Sequence, residues 1–224
     1  MMDKGLFMQA IGKFFLGLLL VAALLFLPAG GFGYWNAWLF LILLFVPMFA
    51  AGIFMMFRSP ELLRKRLNAK EEEAEQKQVV ALSGLMFLAA FLLAGFNYRF
   101  GWLPMPSWSV WAGSIVFLLS YLLYAEVLRE NAYLSRTIEV QEGQKVVDTG
   151  LYGIVRHPMY AVTLILFLSM PFVLGSLPSF AVLLLYIPII VKRILNEEQV
   201  LLEGLEGYAE YCRRVRWRLI PFLW

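Results

Sequence analysis

The chain has 224 residues, of which 61% are hydrophobic and 16% are charged, and its formal net charge is +3. Together with a mean hydropathy of +0.73, this composition excludes an ordinary soluble domain and predicts an integral membrane protein. A single cysteine excludes an internal disulfide, and one cysteine with one histidine cannot build a zinc site, so we expect no metal. The basic residues lie beside hydrophobic segments, which favours contact with the bilayer and excludes nucleic acid as the expected partner.

Six apolar segments follow one another along the chain. They cover residues 14–27, 35–57, 79–96, 108–128, 159–174 and 177–191. A helix needs about 20 residues to cross about 30 Å of hydrocarbon, so the last two segments are short. The residues GSLP, 175–178, lie at their junction and predict a tight hairpin. We predict an all-α, polytopic membrane protein with about six transmembrane helices. We expect one domain over 1–224, with the first spans in 1–128 and a polar loop, the hairpin and a C-terminal helix in 129–224.

The lysine and arginine residues are distributed unevenly between the polar connections. Counted over alternate connections, 18 of the 19 lie on one side of the predicted spans, and only Arg99 lies on the other. Cytoplasmic loops carry an excess of such residues. The count therefore predicts a multi-pass protein with both termini and all the polar clusters in the cytoplasm.

The stretch DTGLYGIVRHPMY carries the first candidate site. It joins a polar loop to an apolar segment and contains the only histidine, His157, between Arg156 and Pro158. Proline suits the first turn of a helix, so Pro158 is predicted to begin a membrane helix. The exposed N–H groups at that point attract anionic or electron-rich groups. The alternative is a polar cap at the membrane surface with an arginine that extends to the interface.

A second polar cluster follows the predicted hairpin. Arg193 and Glu197 are four residues apart, so a helix that continues from the last span places them on one face, and Glu198 on the neighbouring face. We expect His157 and Glu197, at the two ends of the hairpin, to face each other. The alternative is an ordinary surface ion pair. Apolar residues recur further on at helical spacing and predict an amphipathic helix on the cytoplasmic leaflet; they are Val200, Leu201, Leu205, Tyr208 and Val215.

These motifs resemble a known family. The combination of GLYGIVRHPMY, a short apolar hairpin, RILNEEQVLL and GYAEYCRRV before a final PF is similar to the isoprenylcysteine carboxyl methyltransferases, which are integral membrane enzymes. The resemblance covers about the last 85 residues. The wider superfamily, which includes phospholipid and thiol methyltransferases, shares the RHPxY segment and the paired glutamates. Family members use S-adenosylmethionine in a pocket open to the cytosol, and a lipid substrate enters from the bilayer.

The resemblance implies roles for individual residues. Arg193 would orient a substrate carboxylate and is the expected catalytic residue. The cofactor contacts would fall on the polar loop, the start of the hairpin and one glutamate, namely Gln144, Lys145, Val146, Val147, Tyr152, His157, Pro158, Met159, Tyr160 and Glu197.

The implied function is S-adenosylmethionine-dependent methyl transfer to a membrane-embedded or lipophilic acceptor, as in a protein-S-isoprenylcysteine O-methyltransferase. A carboxylate or thiol of isoprenylcysteine type is the expected acceptor. Three alternatives remain open. They are a phospholipid amine N-methyltransferase, an NADPH-dependent membrane reductase of the kind that acts on sterols, and a non-catalytic membrane protein in which the polar residues only cap helices.

Overall fold

The computed structural model describes residues 4–67, 74–131, 133, 134, 138 and 140–224. These residues form nine α-helices and one short 3₁₀ turn, Gly150–Gly153. The helices are α1 (Lys4–Ala29), α2 (Trp35–Arg58), α3 (Pro60–Leu67), α4 (Ala74–Phe100), α5 (Ser107–Glu130), α6 (Pro158–Leu174), α7 (Leu177–Leu183), α8 (Tyr186–Gly204) and α9 (Tyr208–Arg214).

Five of the described helical stretches are long and apolar enough to cross a membrane. Four of them lie in α1, α2, α4 and α5, and the fifth is Leu177–Gly204, which contains α7 and α8. The sixth apolar helix, α6, has only 17 residues. The predicted class, an all-helical polytopic membrane protein, is confirmed.

The predicted hairpin has clear local determinants. Pro158 occupies the first turn of α6 and His157 is its N-cap residue, as the sequence predicted. The helix ends at Gly175, whose φ of 66° lies in the left-handed region that favours glycine. The Ser176 side chain then accepts a hydrogen bond from the Ser179 backbone N–H and caps α7. A turn at 184–185 separates α7 from α8, so the return arm consists of two helices.

The bundle packs through close helix contacts at glycine positions. α5 packs along α6, and α1 packs along α4. A Cβ atom added at Gly113 of α5 would lie 2.5 Å from the Phe172 Cβ atom and 3.1 Å from the Val173 backbone nitrogen. Gly95 of α4 meets α1 in the same way, with the Leu25 carbonyl oxygen at 2.6 Å. Small residues at these positions let the backbones approach closely.

Replacement of Gly113 by valine is expected to lower the free energy of unfolding by about 1–3 kcal/mol, because the added atoms overlap α6. Thermal or denaturant unfolding in detergent measures this loss. Gly84→Val is the matched control, since a Cβ atom at Gly84 of α4 meets nothing within 4 Å. Equal stability of the two variants would contradict the described α5–α6 packing.

Polar contacts join the connections at each end of the bundle. At one end, the Tyr34 hydroxyl donates to the Leu174 carbonyl oxygen, and the Met105 N–H donates to the Gly175 carbonyl oxygen. At the other end, the Lys13 ammonium donates to the Leu67 carbonyl oxygen at 2.6 Å. The charged connection 58–78 contains α3 at this second end, and its residues 68–73 lie outside the described part of the chain.

Candidate functional site

A cleft lies where α5 ends and α6 begins, between the polar loop and the C-terminal helices α8 and α9. Its empty space, including the part open to solvent, is about 830 Å³. The lining residues come from four separate parts of the chain; they are Asn131, Tyr133, Leu134, Ile138, Gln144, Lys145, Val146, Val147, Tyr152, Arg156, His157, Met159, Tyr160, Arg193, Glu197, Leu201, Leu205, Tyr208 and Tyr211.

Ten of the eleven site residues predicted from the sequence line this cleft. Pro158 is the exception. It begins α6, and its neighbours His157 and Met159 both line the cleft. Sequence reasoning missed most of the remaining lining residues. Tyr208 was interpreted only as part of an apolar helix face, and Asn131 and Tyr211 carried no signal that distinguished them from ordinary polar and aromatic residues.

Three polar side chains form a connected group in the cleft. The Tyr160 hydroxyl donates a short hydrogen bond to Glu197 Oε2. The same phenolic oxygen accepts a hydrogen bond of 3.0 Å from Arg193 Nε. Tyr160 therefore lies between the arginine and the carboxylate, which the sequence had placed together on one helix face. The group presents a negative and a positive side chain to the same cleft.

His157 is held by a different glutamate from the one expected. Its Nε2 atom lies 3.2 Å from Glu198 Oε1, whereas His157 and Glu197 share only the lining of the cleft. The ring of His157 also stacks on Tyr160, with the ring centroids 5.8 Å apart. Glu197 and Glu198 are consecutive on α8 and therefore point about 100° apart, so one carboxylate bonds Tyr160 in the cleft and the other bonds His157.

Glu198 is the centre of a buried ionic cluster. Its side chain is 6% exposed, and its Oε1 atom lies 3.1 Å from Arg156 Nη1. Its Oε2 atom accepts a hydrogen bond of 2.8 Å from Arg218 Nε. Two arginines and a histidine thus compensate one buried carboxylate, because a buried charge is tolerated only when it is paired and hydrogen-bonded.

The C-terminal segment fixes the backbone that precedes α6. The Arg156 N–H donates to the Trp217 carbonyl oxygen at 2.8 Å, and the His157 N–H donates to the Arg218 carbonyl oxygen at 2.9 Å. The Arg218 guanidinium lies over the Trp224 ring at 5.4 Å. These contacts hold the imidazole in place from the backbone side, while Glu198 holds it from the ring side.

The polar C-terminal part forms two helices, whereas the sequence predicted a single amphipathic helix. α8 ends at Gly204, and α9 begins at Tyr208 after Gly207, whose φ is 82°. The left-handed conformation at Gly207 turns the chain, since it cannot continue an α-helix. Leu205 and Tyr208 then pack with Val146 of the polar loop in a small cluster of their own. α9 therefore closes the cleft from the side of the loop.

The phenols around the cleft are neutral groups. Burial raises the pKa of Tyr152, and the hydrogen bond of 3.1 Å that Asn131 Nδ2 donates to its phenolic oxygen opposes this increase only in part. Burial likewise raises the pKa of Tyr211, whose hydroxyl donates to the Tyr152 carbonyl oxygen at 2.7 Å. Burial also raises the pKa of Tyr208, with a further contribution from the charge of Glu198. These hydroxyls act as hydrogen-bonding groups at neutral pH.

Two features of the lining fit a nucleoside-type cofactor. The Tyr208 hydroxyl is buried and has no hydrogen-bond partner among the described residues, although buried hydroxyls normally have one. Apolar walls from Val146, Leu201 and Leu205 stand opposite the polar group around Glu197. No group of three or more metal-ligating side chains occurs among the residues that the structure describes.

The segment that builds most of the cleft has a known counterpart. Residues 108–206 match the phospholipid methyltransferase family. The matched segment runs from α5 to just beyond the end of α8, and so includes every site residue predicted from the sequence. This segment is therefore similar to membrane methyltransferases of the superfamily expected from the motifs. The isoprenylcysteine part of that expectation stays a prediction.

A curated protein is also similar to part of the chain. A stretch of 91 residues is 34% identical to Delta(14)-sterol reductase of Mus musculus. The stretch covers 39% of this chain and 22% of the reductase, so the similarity is confined to about a fifth of that protein.

Proposed function

We propose that the protein transfers a methyl group from S-adenosylmethionine to a lipophilic acceptor at this cleft. The observation that carries the proposal is that one cleft, built mostly by the segment matched to the phospholipid methyltransferases, gathers ten of the eleven residues expected at the site. The activity of that family supports S-adenosylmethionine as the cofactor. We also propose that 1–224 acts as one domain and that the cleft opens on the cytoplasmic side, as the lysine and arginine distribution favours.

The cofactor would be held by the residues that line the two sides of the cleft. Glu197 offers a carboxylate to its cationic part, and the aromatic faces of Tyr152 and Tyr160 favour positive charge as well. The Tyr208 hydroxyl offers a hydrogen bond that no described protein group uses. The backbone and side chains of Gln144, Lys145, Val146 and Val147 form the loop side of the cleft.

S-adenosylmethionine would supply an activated methyl group on a positively charged sulfur. On transfer, the acceptor lone pair would form the new bond to the methyl carbon, and the electron pair of the carbon–sulfur bond would remain on sulfur. The chain's own task is therefore to orient the acceptor and exclude water, which can supply most of the rate. Arg193 would fix an acceptor carboxylate with its guanidinium group, while its Nε–H keeps Tyr160 in place.

The acceptor decides whether a base is needed. A carboxylate or thiolate of isoprenylcysteine type, the acceptor implied by the sequence motifs, needs none, and Arg193 supports it. A phospholipid amine, which the family match supports, has to lose a proton before or during attack. His157 is the residue suited to accept that proton. Because Glu198 occupies Nε2, Nδ1 is the ring nitrogen that remains for this role.

An NADPH-dependent reductase is the second candidate, and the similarity to a sterol reductase favours it. Such an enzyme would use the cleft to hold a hydride donor in place of a methyl donor. Glu197 suits a cationic methyl donor, whereas Lys145, Arg156 and Arg193 in the same lining would suit an anionic nucleotide. Binding measurements with both cofactors therefore separate the two candidates.

Membranes that contain the protein, incubated with methyl-labelled S-adenosylmethionine, test the proposal. We expect label in the lipid extract or in a prenylated peptide, and chromatography of the labelled product identifies the acceptor.

Arg193→Ala is expected to reduce turnover by at least about 100-fold, with a much smaller loss of cofactor binding. Glu203→Ala, on the exposed side of α8, is the control. Equal losses of binding and turnover in Arg193→Ala would contradict the role of Arg193 in orienting the acceptor.

A further inference from the structure

Residues 217–224 follow α9 and form a compact loop beside the start of α6. The Trp224 backbone oxygen accepts three hydrogen bonds of 3.0–3.2 Å, from the N–H groups of Arg218, Leu219 and Ile220. The Ile220 carbonyl oxygen accepts two more of 3.1 Å, from Leu223 and Trp224. We call these residues the 217–224 loop. Because much of its backbone is hydrogen-bonded within the loop, the cost of moving it out of water is reduced.

One side of the 217–224 loop exposes large apolar side chains. Ile220, Phe222 and Leu223 are 42%, 88% and 74% exposed. Phe222 has a φ of 65°, in the left-handed region that bulky side chains rarely adopt. The centroid of its ring lies 5.6 Å from that of the Trp217 ring. A large aromatic side chain that is both strained and exposed is a common sign of a binding partner.

The other side of the 217–224 loop is fixed to the bundle. Leu219 belongs to the main apolar core, and Trp224 packs against this core. The Trp217 and Arg218 carbonyl oxygens accept hydrogen bonds from the N–H groups of the last two residues before α6, where the polar part of the chain gives way to an apolar helix. The 217–224 loop therefore lies at the level where lipid headgroups meet hydrocarbon, and its exposed side chains face the leaflet at that level.

The charge around the 217–224 loop is mainly positive. Together, α9 and the residues after it contain four arginines and one acidic residue, Glu210. Arg213 and Arg216 are exposed. Apolar side chains bordered by basic residues are typical of segments that lie in the plane of an anionic membrane surface. The partner that fits this side of the loop is therefore the lipid leaflet itself.

We propose that the 217–224 loop is an interfacial anchor of the protein. Its Ile220, Phe222 and Leu223 side chains enter the leaflet at the cleft end of the bundle, and Arg213 and Arg216 lie at anionic headgroups. Side chains of such segments reach about 5–10 Å into the boundary between headgroups and acyl chains. The anchor binds the lipid surface as a whole and recognises no single lipid molecule.

The inner side of the loop joins the anchor to the candidate site. Arg218 donates a hydrogen bond to Glu198, which in turn contacts the His157 ring. The loop backbone also accepts the His157 N–H. The bilayer therefore helps to keep the start of α6 in place through the loop. This coupling does not rest on methyl transfer, so it is measured without any methyl donor.

The depth of the loop in the membrane is measured with nitroxide spin labels. The whole chain carries Cys212→Ser and one new cysteine, and it is reconstituted into vesicles of phosphatidylcholine and phosphatidylglycerol. Leu223→Cys is the test. Leu122→Cys on the exposed side of α5 is the embedded control, and Glu210→Cys on α9 is the aqueous control. Collisions with a water-soluble nickel chelate should be at least about tenfold fewer at 223 than at 210, and collisions with oxygen as frequent as at 122.

The coupling to α6 is measured by amide hydrogen exchange in the same vesicles. Phe222→Ser/Leu223→Ser should raise the exchange rate of the peptide that contains Arg156 and His157 by about tenfold or more, because the loop leaves the membrane and opens. Phe222→Leu keeps an apolar side chain and should keep the protection. Leu202→Ser, which removes an exposed apolar side chain of α8, is the matched control. Unchanged exchange in α5 shows that each variant is folded.

Equal nickel collisions at 223 and 210, or unchanged exchange before α6 in Phe222→Ser/Leu223→Ser, would overturn the anchor. Protection of 223 from nickel and oxygen alike would also overturn it, in favour of a contact with a second copy of the chain. In vesicles of phosphatidylcholine alone, the exchange before α6 should be at least about threefold faster, and Arg213→Gln/Arg216→Gln should abolish this difference. Equal exchange of the unsubstituted protein in both kinds of vesicle would refute the part assigned to the arginines.

Discussion

Glu198→Ala is expected to lower the free energy of unfolding by about 3–5 kcal/mol, the cost typical of removing one partner from a buried ionic group. The loss is large because the variant leaves Arg156, His157 and Arg218 close together without their shared carboxylate. It also frees the imidazole, so any methyl transfer should decrease with it. Denaturant unfolding of the purified protein in detergent measures the change in stability.

Two further variants make this prediction specific. Glu203→Ala removes an exposed carboxylate of the same helix and should change the free energy of unfolding by no more than about 0.5 kcal/mol. Glu198→Gln keeps an oxygen acceptor and should lie between the two. If Glu198→Ala proves as stable as Glu203→Ala, the cationic cluster does not depend on Glu198 and the description of the site is wrong at that point.

Glu197→Ala is expected to weaken binding of S-adenosylmethionine by about 10- to 100-fold, the loss that accompanies removal of one charged hydrogen-bonding partner. Tyr160→Phe should also weaken it, because the Tyr160 hydroxyl connects Arg193 to the carboxylate. Calorimetric titration of each variant measures the dissociation constants.

The double variant Tyr160→Phe/Glu197→Ala completes a thermodynamic cycle for this pair. Because the two side chains share a hydrogen bond, the losses should not add, with an interaction energy of about 0.5–3 kcal/mol. Strictly additive losses would show that Tyr160 and Glu197 bind the cofactor independently. In that case the connected group in the cleft has no functional meaning.

The helices and the position of Pro158 could be predicted from local patterns. Long apolar segments form helices in a bilayer because every backbone polar group has to be satisfied within the segment. Proline at the first turn and glycine after the last turn mark the two ends of α6, and both effects depend only on neighbouring residues. The residues that line the cleft were predicted from a family resemblance. The spacing of the motifs alone left an ordinary surface ion pair as an alternative.

The partners of the charged residues could not be predicted, because they depend on distant contacts. The sequence offered two adjacent glutamates and no means of deciding which one His157 meets. It also gave no indication that Arg218 approaches Glu198. This contact forms because the segment after α9 returns to the start of α6, where backbone hydrogen bonds hold it. Arg66 looked like one charge of a solvated connection, yet it packs against Met159, which is 93 residues away.

The most direct test of the proposed function is a calorimetric titration of the purified full-length protein in detergent with S-adenosylmethionine, its demethylated product and NADPH. We expect saturable binding of the two S-adenosyl compounds at one site, binding about 10- to 100-fold weaker in Glu197→Ala, and no heat with NADPH. Binding of NADPH without any response to either S-adenosyl compound would contradict the methyltransferase and favour the reductase.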